Sequence, residues 1–108
     1  MTAKNYNTDF FQRTSVLNNA RLAAGTYRRG QLLSPPADGV FSAYSGSGAV
    51  GAVCVNDIAV TASANNAAIC RGEFEKEGMV ALNAALAVPV TIDDAIIAEC
   101  FAAGIILN

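Results

Sequence analysis

AVGAVCVNDIAV, residues 49–60, is the stretch from which the fold is read. Val50, Ala52 and Cys54, then Ile58 and Val60, sit among β-branched neighbours, and Asn56-Asp57 between them has turn chemistry. Branching at Cβ restricts χ1 in a helix and suits a pleated surface, so the stretch predicts two short strands separated by a turn or bulge. The same pattern extends on both sides. Upstream lie the loop SGSG at 45–48 and a strand candidate of Val40, Phe41, Ala43 and Tyr44. Before these comes a short strand at Gln31–Ser34, stopped by Pro35-Pro36 and the turn residues Asp38-Gly39. Downstream, AAICRGEF at 67–74 reads as another strand, with Gly72 near its end.

The period then changes. Met79, Leu82, Asn83 and Leu86 fall on one helical face after Gly78, and Pro89 stops the run. Thr91-x-x-Asp94 is a cap-like start, because an oxygen side chain there satisfies orphan backbone N–H groups. Ile96, Ile97, Cys100 and Phe101 follow as a stripe expected to face a core. Gly104 ends that helix, and Gly104–Asn108 returns as a terminal strand. Several short strands and two late helices, with no repeat and no βαβ alternation, predict a mainly β, α+β domain.

Residues 1–26 read differently. They are rich in Asn and Thr, and Val16–Ala24 has the spacing of one or two helical turns ending at Gly25. The first 29 residues hold five basic side chains against Asp9 alone, a net +4, whereas residues 30–108 hold two against eight acids, a net −6. We therefore expect an extended N-terminal arm over residues 1–26 and a β-rich body over 27–108. The arm would reach for an acidic partner surface through Lys4, Asn5, Tyr6, Phe10, Phe11 and Arg13, with the aromatic residues as anchors that order on docking. Such an arm would carry most of the partner affinity and little of the body's stability. Charged residues make up 15% of the 108-residue chain, against about 25% in ordinary globular domains, and so sparse a surface suits a subunit that associates.

Catalytic chemistry finds little to work with. The chain has no histidine, which removes Ser-His and Cys-His pairs, imidazole bases and histidine metal sites together. Cys54, Cys70 and Cys100 are scattered through apolar stretches without the close pairs a zinc site needs, and read as reduced core residues. Gly46-x-Gly48-x-x-Gly51 matches a dinucleotide fingerprint by letter, but β-branched residues follow it where a helix should open, so these glycines read as a turn between strands. Asp93 and Asp94 belong to a helix start. The expectation is a non-enzymatic binding protein without metal or cofactor. Five basic residues spread over 29 positions do not form a nucleic-acid stripe. No apolar run nears the roughly 18–20 residues that span a bilayer, and no leader pattern opens the chain, so a soluble protein of intracellular origin is expected.

Three pieces in order carry a resemblance: AVGAV at 49–53, Gly72-Glu73-Phe74, and Phe101-Ala-Ala-Gly-Ile-Ile at 101–106. Together with Leu32-Leu33 and Tyr44, this pattern over residues 27–108 resembles the lambda-type head decoration proteins of tailed bacteriophages. The resemblance implies a β-clip-like domain that forms homotrimers, binds the major capsid protein on the outer surface of the assembled head and stabilises it. It implies a virion protein made in the host cytoplasm, with an arm that orders on the capsid. The chain lacks tryptophan and the Pro-rich arm of some members. Two other readings remain beside it: another virion assembly or adaptor subunit, and a small cytosolic domain binding a ligand in an apolar groove between strands and helices.

Overall fold

The computed structural model describes residues 10–61 and 64–108, apart from the side chains of residues 64–66. Eight strands and two helices follow in chain order: β1 Phe11–Leu22, β2 Gly25–Tyr27, β3 Leu32–Leu33, β4 Val40–Phe41, β5 Ala52–Cys54, β6 Ile58–Val60, β7 Ala64–Phe74, α1 Lys76–Ala84, α2 Asp94–Ala102 and β8 Ile105–Leu107. The main sheet runs β3-β5-β7-β1-β4, with β8 joined parallel to β7, and β2 and β6 form a separate antiparallel ribbon. The domain is mainly β with two helices.

Strand periodicity places a core on each face of the sheet. Leu32, Val53 and Cys70 enter one apolar cluster with Met79, Leu82, Ile96 and Cys100 of the helices. Their chain neighbours Leu33, Ala52, Cys54 and Ile69 enter the other, with Tyr27 and Val60 of the ribbon. Because successive side chains of a strand point to opposite faces, β3, β5 and residues 67–70 of β7 are apolar at every position, and there the sheet is covered on both sides. Asn56-Asp57 forms the expected turn between β5 and β6. The two strands do not pair with each other: β5 stays in the main sheet and β6 joins the ribbon. Asp57 Oδ1 accepts the Arg29 N–H at 2.8 Å, which fixes the turn against the chain entering β3.

The N-terminal segment departs from expectation. Residues 16–24 form no helical turns, and most of the supposed arm is β1, a strand of 12 residues. It pairs antiparallel with β7 from Phe11↔Phe74 to Leu22↔Ala64. Its inner end alternates, with Ala20 and Leu22 buried around exposed Arg21. That alternation is a strand signal, hidden because Val16, Leu17 and Ala20 also satisfy helical spacing. Phe10 is fully buried. Its ring lies against two glycines, and a Cβ on Gly78 would come within 2.5 Å of the Phe10 Cβ. Residues 10–26 are therefore part of the folded sheet, and no boundary at residue 26 separates them from the body.

Gly78 itself lies inside α1, not ahead of it, since the helix opens at Lys76 after Glu75. A helical glycine costs about 1 kcal/mol relative to alanine, and here the space it leaves is filled by Phe10. The helix also ends at Ala84, before Leu86. In α2 the cap is Asp93, whose carboxylate accepts the Ile96 N–H at 3.0 Å, two residues after Thr91, which opens the expected Thr91-x-x-Asp94 start. Phe101, expected on the core-facing stripe of α2, does not enter the core. It faces away from the core and is 69% exposed.

Two substitutions test this packing. Phe10→Ala is expected to lower stability by about 3–5 kcal/mol, the usual cost of emptying a buried phenylalanine site. Gly78→Ala is expected to destabilise despite its better helix propensity, because the new methyl group meets the Phe10 ring. Urea midpoints measure both, and a Phe10→Ala midpoint equal to wild type would return this residue to a free arm.

Candidate functional site

Of the six residues expected to form a capsid-binding arm, Lys4, Asn5 and Tyr6 lie outside the described residues. Phe10 is buried, so it does not serve as an exposed anchor. Phe11 is half-buried, with its ring centroid 5.2 Å from that of Phe10 and 5.0 Å, edge-on, from that of Phe74. The Arg29 guanidinium stands 3.9 Å from the Phe11 ring centre and also donates to the Val55 carbonyl at 2.9 Å. This cation–π contact ties β1 to the turn after β5 and spends Phe11 on the protein's own fold. Arg13 is exposed, paired across the ladder with Glu73 of β7.

What the segment does present is a sheet edge. β7 covers one side of β1 along its length, but on the other side β4 pairs only with Arg21 and Leu22. Among the described residues, no strand pairs with the outer side of 12–19. Val16 and Leu17 in this stretch are 50% and 56% exposed, one on each face of the strand. Edges in soluble monomers are commonly blunted by lysine, proline or a short strand. This one is long, carries only Arg13 as a charge, and offers its backbone groups to another strand.

A second feature is a cleft of about 400 Å³ between the connection from α1 to α2 and the chain around β2 and β3. Leu86, Val88 and Val90 line one side, and Thr26, Arg28 and Gln31 the other. Both sides are held by Asn83, a fully buried polar residue. Its Oδ1 accepts the Leu32 N–H at 3.1 Å, and its Nδ2 donates to the carbonyls of Gly30 at 3.1 Å and Met79 at 2.9 Å. Its own carbonyl accepts the Val90 N–H at 2.9 Å. The sequence placed Asn83 on the apolar face of a helix, and a polar residue among hydrophobic ones at that spacing was the signal for such a clamp.

The glycine fingerprint resolves into backbone geometry. Gly46 and Gly48 have φ of 99° and 83°, and the Tyr44 hydroxyl donates to the Gly48 carbonyl at 2.7 Å to close the turn. A Cβ on Gly51 would lie 2.6 Å from the Ser34 carbonyl oxygen, so glycine there permits close strand approach. A strand, β5, follows where a nucleotide site would need a helix.

All three cysteines are free and buried. Burial pushes the Cys70 thiol from its ordinary 9.0 up to about 12 and the Cys100 thiol up to about 11, and raises Cys54 as well. These groups stay protonated at neutral pH, where a protonated thiol is a poor nucleophile. Among the described residues no cluster of three or more His, Cys, Asp or Glu side chains is arranged to hold a metal ion, and no helix is long and apolar enough to cross a membrane. Compared with known protein families, curated proteins and solved structures, the chain matches none.

Two measurements follow. A thiol whose folded pKa is raised stabilises the fold below pH 9 and loses that contribution as pH climbs toward the folded value, because the unfolded chain ionises first. The melting temperature should therefore fall from pH 9 upward, and Cys70→Ala should flatten the slope between pH 9 and 10. Asn83→Leu leaves the Gly30 carbonyl and Leu32 N–H without partners and is expected to cost about 2–4 kcal/mol. Chemical denaturation reads this second effect.

Proposed function

We propose that this protein is a non-enzymatic structural component of a bacteriophage virion, a head decoration protein that binds as trimers to the outer surface of the assembled capsid and stabilises its lattice. The observation that carries the reading is the open outer edge of β1 over residues 12–19, with Val16 and Leu17 exposed on its two faces. An edge of this kind suits docking against a strand of a large protein partner, here the major capsid protein, because backbone hydrogen bonds give affinity without a deep pocket. The motif order in β5, β7 and β8 supports the same reading through the resemblance to lambda-type decoration proteins, including its β-clip-like form.

The physical role follows from linkage. A ligand that binds assembled capsid and not loose subunits stabilises the assembly by mass action. Three linked edges on one trimer multiply a modest single contact through effective concentration. The proposal replaces an aromatic arm with a strand edge as the principal contact. Residues 1–9, with Lys4, Asn5 and Tyr6, precede that edge directly in the chain and would extend the contact.

The cleft supports a second reading, a small cytosolic domain that holds an apolar ligand between Leu86, Val88 and Val90. An adaptor subunit elsewhere in the virion would use the same β1 edge. Binding isotherms on empty, expanded heads separate these readings, with image reconstruction of the decorated particle. Wild-type protein should saturate the three-fold positions, and Val16→Asp and Leu17→Asp should each weaken binding at least about tenfold, or 1.4 kcal/mol. Circular dichroism melts should stay near wild type, since both side chains are half exposed. Failure to bind heads, combined with stabilisation of a monomer by a metabolite, would establish the ligand-binding reading instead.

A further inference from the structure

Helix α2 is apolar on nearly every side. Ile96 and Cys100 are buried and Ile97 packs partly against the same core. The outward positions are Ala95, Ala98, Phe101 and Ala102, all exposed. A helix at a water boundary ordinarily carries charge on its outer face, as α1 does with Lys76 and Glu77, and one that is hydrophobic all round is ordinarily covered. α2 carries two acids, Glu99, half-buried at the flank of this face, and Asp94, exposed on it seven positions before Phe101. That spacing puts Asp94 and Phe101 on one line along the helix, about 10.5 Å apart.

The cleft offers the matching chemistry. Its α1–α2 side is Leu86, Val88 and Val90, with Val88 itself 82% exposed, and its other side carries Arg28. Among the described residues, neither the Arg28 guanidinium nor the Asp94 carboxylate has an ion-pair partner. An apolar knob with an acid on one surface thus faces an apolar hollow with a base on another.

We infer that a second copy of this chain fills the cleft: Phe101 of one copy packs on Leu86, Val88 and Val90 of the next, and Asp94 pairs with Arg28. The inference rests on the trimer in the proposed function and assigns the contact that builds it. Knob and hollow are different surfaces of one chain, so the contact is head-to-tail, a geometry that can close into a ring, and the trimer of the proposed function sets that ring at three. The three outer alanines let the helix approach the neighbouring subunit closely. Burying an aromatic side chain, with a partly desolvated ion pair beside it, supplies both affinity and register. The β1 edge takes no part and stays free for the capsid.

Multi-angle light scattering and sedimentation equilibrium of the full chain, over a concentration series, test the contact. Wild type is expected to be a trimer. Phe101→Asp should be a monomer with an unchanged melting curve, because the side chain lies outside the core. Arg28→Asp and Asp94→Arg should each raise the apparent trimer dissociation constant at least about tenfold, and the double variant should recover most of the loss, as coupled charges do in a double-mutant cycle. A wild-type trimer untouched by Phe101→Asp, or charge reversals without mutual rescue, overturns the contact and leaves the decoration role standing. A chain that is monomeric in solution yet sits in threes on heads has the same consequence. A chain that neither trimerises nor binds heads removes the functional proposal along with the contact.

Discussion

Phe11 pairs with Phe74 at one end of the β1–β7 ladder, and most of the tertiary structure depends on that ladder. β7 is flanked by β1 on one side and by β5 and β8 on the other, and Ile69 and Cys70 carry the cores of the two faces. The ladder is irregular, with register shifts between Phe11 and Arg13 and on both sides of Ala20. Gly72 sits opposite Thr14 at φ 135°, and a Cβ there would overlap the Arg13 carbonyl, so glycine is required at the first shift. At the second, Asn19 adopts φ 62°, a left-handed conformation that asparagine tolerates better than most residues. Bulges of this kind re-aim side chains. On one side of Asn19 the strand buries Ala20 and Leu22, and on the other it leaves Val16 and Leu17 in water.

Polar groups follow from this arrangement. Where helix α1 crosses the chain entering β3, buried backbone groups need partners, and Asn83 supplies three side-chain hydrogen bonds there. Among the described residues, no buried side-chain nitrogen or oxygen lacks a partner. The buried chemistry is therefore spent on structure. The unusual features lie outside: a bare sheet edge, an apolar helix face and a cleft, on a chain with few charges. Surfaces like these carry a cost in solubility for a monomer and none for a subunit that covers them.

In the proposed roles, the edge and the α2–cleft pair divide docking and self-association between separate elements. The outer side of β1 over residues 12–19 is available for a partner strand, whereas α2 and the α1–α2 connection lie on the helical face of the sheet. A protein that both self-associates and docks needs such a separation, because a shared surface would make the two events compete. Sparse charge serves both, since desolvating ionic side chains would oppose either contact.

The local chemistry of the chain determined the strands at 32–33, 40–41, 52–54 and 58–60, the turn at Asn56-Asp57, both helices within a few residues, and the burial of the three cysteines. Each of these rests on short-range patterns: β-branched runs, Gly and Pro punctuation, and apolar spacing of 3.6 or 2. Residues 10–26 were not legible in this way. Val16, Leu17, Ala20 and Leu22 fit helix and strand spacing alike, and only β7, some fifty residues later, offers the hydrogen-bonding partner that decides between them. Phe10 and Phe11 looked like anchors because nothing local shows that Gly30 and Gly78 leave room for one ring and Arg29 caps the other. Phe101 looked buried because its helical phase is correct, yet which arc of α2 meets the sheet depends on where β8 joins β7. The open edge, the cleft and the outward face of α2 arise from long-range pairing, and tertiary structure alone brought them into being.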